Sequence, residues 1–325
     1  MITIWKKIDH RLCRTAILEK DCWLEVSAPT EFEKETLERE HRIPRDFIQD
    51  VLDPDERPRM EKKNGTLFLI YRVPHYADGA AVRYTTIPVG LVLTESAVIT
   101  LCAGECAALS ELSRLRTPGP DPAVRKAFLL LFMNCAVRQF LGNLKTINQQ
   151  TSRIEEQLQE AVKNTELIRL LRMEKSLVYF TTSLRANELL LAKLQRGFLL
   201  NRSPEEEESL DDLITESTQA LEMSQIYSNI LSGMMDAFAS VISNNLNVVM
   251  KRLTQISIIL MIPTFFASLY GMNIPLPFQD SPRTFSWILG VSALTAGTGA
   301  VFFSRTGRTA AGKGSFKKSR RTASL

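Results

Sequence analysis

The feature that most constrains this chain is an apolar, charge-free stretch near its C-terminal end, from Ile256 to Asn273. It continues a long helical pattern that begins at Pro204 and meets no further proline until Pro263. About 20 apolar residues are enough for a helix to cross the hydrocarbon core of a bilayer. Because Pro275 and Pro277 follow and cannot continue a helix, the sequence predicts a long helix that passes from water into a membrane and then stops.

One face of this helix is narrow and mildly polar. Its residues fall three or four positions apart, which places them on one side: Asn247, Met250, Leu253 or Thr254, Ser257, Met261, Thr264, Ser268 and Gly271. Two interpretations remain open. Several copies could turn this stripe toward a common axis and form a pore, or the Ser and Thr hydroxyls bond to their own helix and the stripe is only a helix contact.

A second apolar segment, Phe285 to Phe303, carries no charge and is rich in small residues that permit close helix packing. The tail after it, residues 305–325, carries seven Lys or Arg residues and no acid. Lys251 and Arg252 mark the start of the first span in the same way. Since Lys and Arg collect on the cytoplasmic side, we expect two spans with both termini in the cytoplasm, and no nucleic-acid role for the tail.

Residues 1–117 have the mixed pattern of an α/β domain. The β-type runs are Ile2–Trp5, Cys22–Val26, Thr66–Val73, Val82–Val89 and Ala97–Cys102. Helices are predicted to start at Thr30, with Glu33 completing a capping box, and near Pro44. No phosphate-binding glycine loop, nucleophile motif or histidine cluster occurs in the sequence, so we predict that the protein is not an enzyme. The five cysteines have no metal-ligand spacing and are predicted to be reduced thiols.

The remainder of the chain is predicted to be helical. Residues 118–202 form an antiparallel helix pair, and residues 203–273 form a long stalk helix that continues into the first span. Ser203 is the N-cap of this helix, with Pro204 at its first position and Glu206 three residues after the cap. An outer loop (274–284), the second span (285–304) and the basic tail (305–325) complete the chain. A helix of roughly 65 to 70 residues, about 100 Å long, needs partners.

The end of the first span, Tyr270-Gly271-Met272-Asn273, resembles the CorA family of magnesium transporters of the two-span, Gly-Met-Asn type. The resemblance extends to Ile230–Asp236, Ser243–Asn247, Met250–Thr254 and Met261–Phe265. It implies an α+β cytoplasmic N-terminal domain, a long-helix stalk and two C-terminal transmembrane helices, assembled as a homopentameric funnel. It also implies the inner (plasma) membrane of a prokaryote, with the lipid bilayer and divalent cations as the other partners.

The resemblance further implies a function, which is passive, channel-like uptake of hydrated Mg²⁺, with Co²⁺ and Ni²⁺ as further candidate ions. Gly271, Met272 and Asn273 would form the selectivity filter, with Asn273 holding the hydrated ion. The implied pore-lining residues are Asn247, Met250, Leu253, Ser257, Met261, Thr264 and Asp236. Neutral oxygens suit this task because Mg²⁺ gives up its inner waters reluctantly.

Regulation by cytoplasmic Mg²⁺ is the second implication of the resemblance. Asp50 and Asp212 match the family's regulatory pair, in which the bound ion offsets the repulsion of two carboxylates. The alternative is that Asp212 only belongs to an acidic helix start favoured by the helix dipole. The outer loop departs from the family pattern, because its one acid, Asp280, is balanced by Arg283.

Two other functions remain open from the sequence. The first is zinc transport by the related two-span group, whose members usually lack the Met found here at position 272. The second is a membrane-anchored helical scaffold that conducts nothing.

Overall fold

The computed structural model describes residues 1–8, 11–115, 121, 124–160, 164–197, 203–272 and 283–318. The strands are β1 (Ile2–Ile8), β2 (Arg11–Thr15), β3 (Cys22–Ser27), β4 (Arg59–Lys63), β5 (Thr66–Tyr76), β6 (Tyr84–Leu93) and β7 (Ala97–Cys102). The helices are α1 (Glu31–His41), α2 (Arg45–Leu52), α3 (Ala107–Arg114), α4 (Arg125–Glu160), α5 (Asn164–Arg196), α6 (Pro204–Tyr270) and α7 (Thr284–Lys318). The chain divides into two compact units, Met1–Ala237 and Phe238–Leu325.

The seven strands form one mixed sheet in the first unit, in the order β2-β1-β3-β7-β6-β5-β4. β3 and β7 are parallel in the register Cys22↔Ala97, and every other neighbouring pair is antiparallel. The parallel pair requires a long crossover, which α1 and α2 begin. The predicted α+β start of the chain is therefore confirmed.

One face of the sheet is covered by α1 and α2. Side chains alternate between the two faces along each strand, and those on this face form a buried core with the two helices: Leu24, Val26, Leu37, Ile43, Phe47, Ile48, Val51, Phe68, Ile70, Val92, Ile99 and Leu101. Gly90 of β6 allows α2 to approach closely, because a Cβ atom there would lie 2.5 Å from Cγ2 of Val51. Any larger residue at position 90 would push α2 away from the sheet.

The other face of the sheet packs against α4 and α5. Trp23 meets Phe128 of α4 edge to face, with ring centroids 5.3 Å apart, and its indole N–H donates to Thr100 at 2.9 Å. Tyr71 meets Phe132 of α4 in the same way at 6.0 Å. These aromatic contacts account for a large buried area, so α4 belongs to the core of the first unit.

Local sequence signals account for several element boundaries. The Thr30–Glu33 capping box is confirmed, with Glu33 N–H donating to the Thr30 hydroxyl at 3.3 Å. Ser203 and Glu206 make the corresponding pair of hydrogen bonds at the start of α6, at 2.9 and 3.3 Å. Each box satisfies main-chain N–H groups that the first helical turn leaves unpaired.

Two strands that the sequence analysis did not predict, β2 and β4, lie at the two edges of the sheet. Both are rich in Lys and Arg, which is typical of edge strands that are protected against pairing with other chains. The turn between β4 and β5 has positive φ at both Asn64 (50°) and Gly65 (81°). This backbone is typical of a tight hairpin and suits an Asn-Gly pair.

Three helices in the described part of the chain are long and apolar enough to cross a membrane: Arg125–Leu158, Pro204–Tyr270 and Phe285–Phe303. Their burial separates them. In the first, 61% of the apolar window is buried inside the structure, against 0% and 6% in the other two. The apolar surface of α4 is thus used by the sheet, whereas α6 and α7 leave most of theirs uncovered. The helix that contains the second apolar segment continues to Lys318, beyond the predicted boundary at residue 304.

Candidate ion pathway

The apolar C-terminal half of α6 has one half-buried face. Its members recur every three or four residues: Gln255, Ile259, Ile262, Pro263, Phe266, Leu269 and Tyr270. This face contacts α7, since a Cβ atom built on Gly299 would lie 3.7 Å from Cγ1 of Ile259. The bulky side chains of this segment are therefore divided, with Ile259 and Phe266 half-buried on this face and Ile258 and Phe265 exposed.

α7 presents a matching face of the same periodicity. The residues that are at least half-buried there are Ile288, Val291, Ser292, Thr295, Ala296, Gly299 and Phe303. Three of these positions are Ser292, Ala296 and Gly299, whose small size lets two helices approach closely. Small side chains on α7 thus receive larger ones from α6.

The predicted polar stripe lies on the opposite side of α6 from α7. Ser257 and Met261 are each two residues from Ile259, and two residues correspond to about 200° around a helix. Met250, Leu253 and Met261 are 57%, 56% and 67% exposed. Asn247, Ser257 and Thr264 are exposed as well. Nothing in the described part of this chain covers the stripe.

The hydroxyl groups of the stripe donate back into their own helix. Ser257 donates to the Leu253 carbonyl at 2.9 Å, and Thr264 donates to the Leu260 carbonyl at 2.8 Å. Thr254, one turn before Ser257, donates in the same way to the Met250 carbonyl at 2.9 Å. A hydroxyl has one proton and two acceptor lone pairs. Because the proton is directed inward, the oxygen remains able to accept hydrogen bonds from the waters of a hydrated cation.

The predicted filter begins where α6 ends. The Gly271 N–H donates to the carbonyls of Ala267 and Ser268 at 3.0 and 3.2 Å, which closes the last turn of the helix. Met272 follows and is 49% exposed. Asn273 and the predicted outer loop as far as residue 282 lie outside the described residues, so the filter role of Asn273 stays a prediction.

Three predicted acidic residues lie in the first unit. Asp236 and Asp212 are exposed on α6. Asp50, on α2, forms an ion pair with Arg59, which also contacts Glu56 and lies 3.6 Å from Glu61. No group of three or more His, Cys, Asp or Glu suited to a metal occurs among the side chains that are described. Within one chain, the structure therefore places Asp50 with a cation rather than in a metal site.

The electrostatic environment of Arg59 favours this pairing. Burial of the guanidinium opposes its charge, but the hydrogen bond to Asp50 and the charges of Glu56 and Glu61 outweigh burial and raise the pKa of Arg59. An arginine remains protonated at any physiological pH. A Mg²⁺ ion at Asp50 would therefore compete with a permanent positive charge.

Comparison with known proteins agrees with this architecture of a sheet domain followed by a long helix and two apolar C-terminal segments. Residues 19–305 match the CorA-like Mg²⁺ transporter protein family, and the chain belongs to that family. The resemblance predicted from the sequence is confirmed, and the family is one of transporters rather than enzymes.

The relatives extend over nearly the whole chain. The cobalt/magnesium transport protein CorA of Methanocaldococcus jannaschii is 27% identical over 290 residues, which cover 88% of this chain and 90% of that protein. The protein of the same name from Thermotoga maritima is 25% identical over 258 residues, covering 78% and 72%. The complete structure of the CorA magnesium transporter from Methanocaldococcus jannaschii superposes with a TM-score of 0.78 at 23% identity, covering 94% and 98% of the two chains. This superposition shows that the two chains have the same fold.

Proposed function

We propose that several copies of this chain form a passive, channel-like pathway for hydrated Mg²⁺, with Co²⁺ and Ni²⁺ as further candidate ions. The observation that carries the proposal is that the polar stripe and the α7-contacting face occupy opposite sides of α6. With α7 on one side, the stripe is the side left for other copies. A homopentamer would place α6 around an axis and α7 outside it, in the inner membrane with both termini in the cytoplasm.

The stripe supplies the chemistry that such a pathway needs. Asn247, Ser257 and Thr264 offer neutral oxygens that accept from the waters around Mg²⁺, so the ion need not shed its hydration shell. Met250, Leu253 and Met261 would narrow the path with apolar side chains that exclude water in the closed state, and so would form a gate. The membrane potential supplies about 2.3 kcal/mol per charge per 100 mV, and a divalent ion gains roughly twice that without ATP.

The filter assignment is tested by growth on limiting Mg²⁺ of a strain that lacks other Mg²⁺ uptake. Asn273→Ala is expected to abolish growth that the wild type supports. Asn148→Ala, on α4 in the first unit and distant in sequence from Asn273, is the matched control and should support normal growth. Wild-type growth of Asn273→Ala, with the protein present in the membrane, would show that the filter lies elsewhere.

Asp50 and Asp212 are proposed to hold a regulatory Mg²⁺ between neighbouring copies. Mg²⁺ is usually bound by one or two carboxylates and several waters, so one acid from each copy is sufficient. Asp212→Asn should remove Mg²⁺-dependent protection of the full-length protein from protease, while Asp211→Asn, also exposed on α6, should keep it. Equal protection in both variants would favour the simple acidic helix start.

Flux into liposomes decides between the remaining functions. Met272 favours Mg²⁺ over the zinc group, so the rate with Mg²⁺ should exceed the rate with Zn²⁺. Faster Zn²⁺ flux would replace the proposal with zinc transport. If neither ion enters the liposomes although the oligomer is intact, the result would support the non-conducting scaffold.

A further inference from the structure

A cavity of about 400 Å³ lies in the first unit between α4, α5 and the turn that joins β5 to β6. Four arginines line it: Arg83, Arg153, Arg169 and Arg172. They come from three separate segments of the chain, and no carboxylate is among the described residues that line the cavity. The cavity thus concentrates positive charge in a first unit that otherwise pairs many of its cations.

The charge in this cavity is largely uncompensated. Arg169 donates to Glu166 at 3.0 Å. Arg83, Arg153 and Arg172 form no ion pair with any carboxylate in the described part of the chain. All four arginines are exposed, and because guanidinium groups keep their protons in a protein, an anion bound in the cavity would relieve their mutual repulsion.

The hydrogen-bond donors on each helix share one face. On α5, Arg169, Arg172 and Ser176 are spaced by three and four residues and so share one face. On α4, Gln150, Arg153 and Gln157 repeat that spacing toward the same cavity. Two facing helices thus both direct hydrogen-bond donors into one space.

The cavity also has an apolar part. Ile154 and Met173 contribute to its lining, and Ile154 is 5% exposed. Tyr84 lies beside them and accepts a hydrogen bond from the Gln150 amide at 3.4 Å. A ligand that fills the cavity would therefore need both several negative charges and an apolar body.

We propose that this cavity binds a soluble organic polyphosphate of nucleotide size in its metal-free form. The volume falls in the range of small-molecule sites, and arginine pairs with phosphate oxygens through two parallel hydrogen bonds. The planar base would lie against Met173, beside the small part of Ile154 that is exposed. Metal-free phosphate is favoured because Mg²⁺ would cancel two negative charges, and the lining residues that the structure describes offer it no carboxylate. The site is independent of the transport pathway.

The test is calorimetric titration of ATP, with EDTA, into the full-length protein in detergent. The double variant Arg153→Gln/Arg172→Gln should bind at least about 100-fold more weakly, at about tenfold for each charged hydrogen-bond donor removed. Arg185→Gln, an exposed arginine on α5 outside the cavity, is the matched control and should bind like wild type. Saturating ATP with Mg²⁺ beforehand should weaken binding, as should raising the salt concentration.

Competing ligands separate the two halves of the proposed chemistry. Adenosine alone should not displace ATP, and tripolyphosphate should displace it only at higher concentration. Adenosine that competes equally would overturn phosphate recognition, and tripolyphosphate that competes equally would overturn the organic body.

Three further results would overturn the site itself. These are ATP binding that is unchanged in the double variant, ATP binding that is lost equally in Arg185→Gln, and absence of ATP binding by wild type. A change of oligomer mass in the double variant, with no ATP binding by wild type, would assign the arginines to an acidic surface of a second copy. Arg83→Gln, on the sheet side, gives an independent check that does not alter either helix.

Discussion

The side-chain amide of Asn187 on α5 pairs with both main-chain groups of Arg72 on β5. The Arg72 N–H donates to Oδ1 of Asn187 at 3.1 Å, and Nδ2 of Asn187 donates to the Arg72 carbonyl at 2.7 Å. The last register pair between β4 and β5 on this edge is Arg59↔Ile70. Arg72 is two residues beyond Ile70, so its main-chain groups point to the same side of β5. β4 does not extend that far, and the amide of Asn187 pairs with these groups in its place.

Replacement of Asn187 by Leu is expected to destabilise the first unit. Asn187 is 1% exposed, so the change leaves a buried N–H and a buried carbonyl without partners. Each such group costs about 1–3 kcal/mol. Thermal unfolding of the full-length protein, followed by near-UV circular dichroism, would measure the loss. Gln149→Leu, the same kind of change at an exposed position on α4, should have little effect, and similar melting of the two variants would contradict the role of Asn187.

The cysteines should differ sharply in reactivity. Cys13 is exposed, whereas Cys22, Cys102, Cys106 and Cys135 are buried, and all five are free thiols. Since a thiol reacts as its thiolate, a maleimide reagent at neutral pH should label one cysteine in the native protein and all five after denaturation. Cys13→Ser should abolish native labelling. Rapid labelling of a second site in the native protein would show that the buried thiols are accessible.

Burial of two of these thiols also predicts a loss of stability at high pH. Burial raises the pKa of Cys106 and of Cys135 to about 12, whereas a thiol in an unfolded chain has a pKa of about 8.5. Between these values the folded state keeps protons that the unfolded state has lost, so unfolding becomes easier as pH rises. Cys135→Ala should flatten this decline in unfolding free energy between about pH 9 and 11. An unchanged slope would show that other groups cause it.

Much of the fold is encoded in local signals that the sequence makes visible. Capping residues at Thr30 and Ser203 locate two helix starts, because they act on main-chain groups three residues away. The edge strands β2 and β4 were not predicted, because a polar composition that discourages pairing with other chains is not typical of a strand. Each is a strand only because it pairs with its neighbour in the sheet. Asn187 could not be assigned either, since its partner, Arg72, is more than a hundred residues away.

The candidate pathway was predictable in one respect and not in another. The spacing of Ser257, Met261 and Thr264 is enough to place them on one face of α6. The side on which α7 packs depends on the contact between Ile259 and Gly299, which no periodicity reveals. The arginine cavity was not predicted, because its residues are distant in sequence and converge only when α4, α5 and the β5–β6 turn fold together.

The contact between α6 and α7 at Gly299 predicts different outcomes for two neighbouring glycines. A Cβ on Gly299 would touch Ile259, whereas a Cβ on Gly297 would meet nothing within 4 Å. Gly299→Leu should therefore overpack the helix pair and cost about 1–3 kcal/mol, seen as a lower melting temperature of the purified protein. Gly297→Leu adds the same side chain to the same helix and should be tolerated. Equal melting temperatures would indicate that the two helices do not pack through Gly299.

The hydroxyl of Thr264 should matter for flux because its oxygen faces away from α7. Thr264→Val keeps the shape of the side chain but removes the acceptor lone pairs, and losing one hydrogen bond of about 1 kcal/mol would slow Mg²⁺ flux about fivefold. Thr295→Val on α7 is the matched control, because Thr295 makes the same kind of back-bond, to Val291 at 2.8 Å, from the half-buried face of α7. Mg²⁺ entry into liposomes containing an indicator dye measures both. Should Thr295→Val slow entry as much as Thr264→Val, the hydroxyls act by stabilising their helices, and the stripe is a contact surface rather than the wall of a pore.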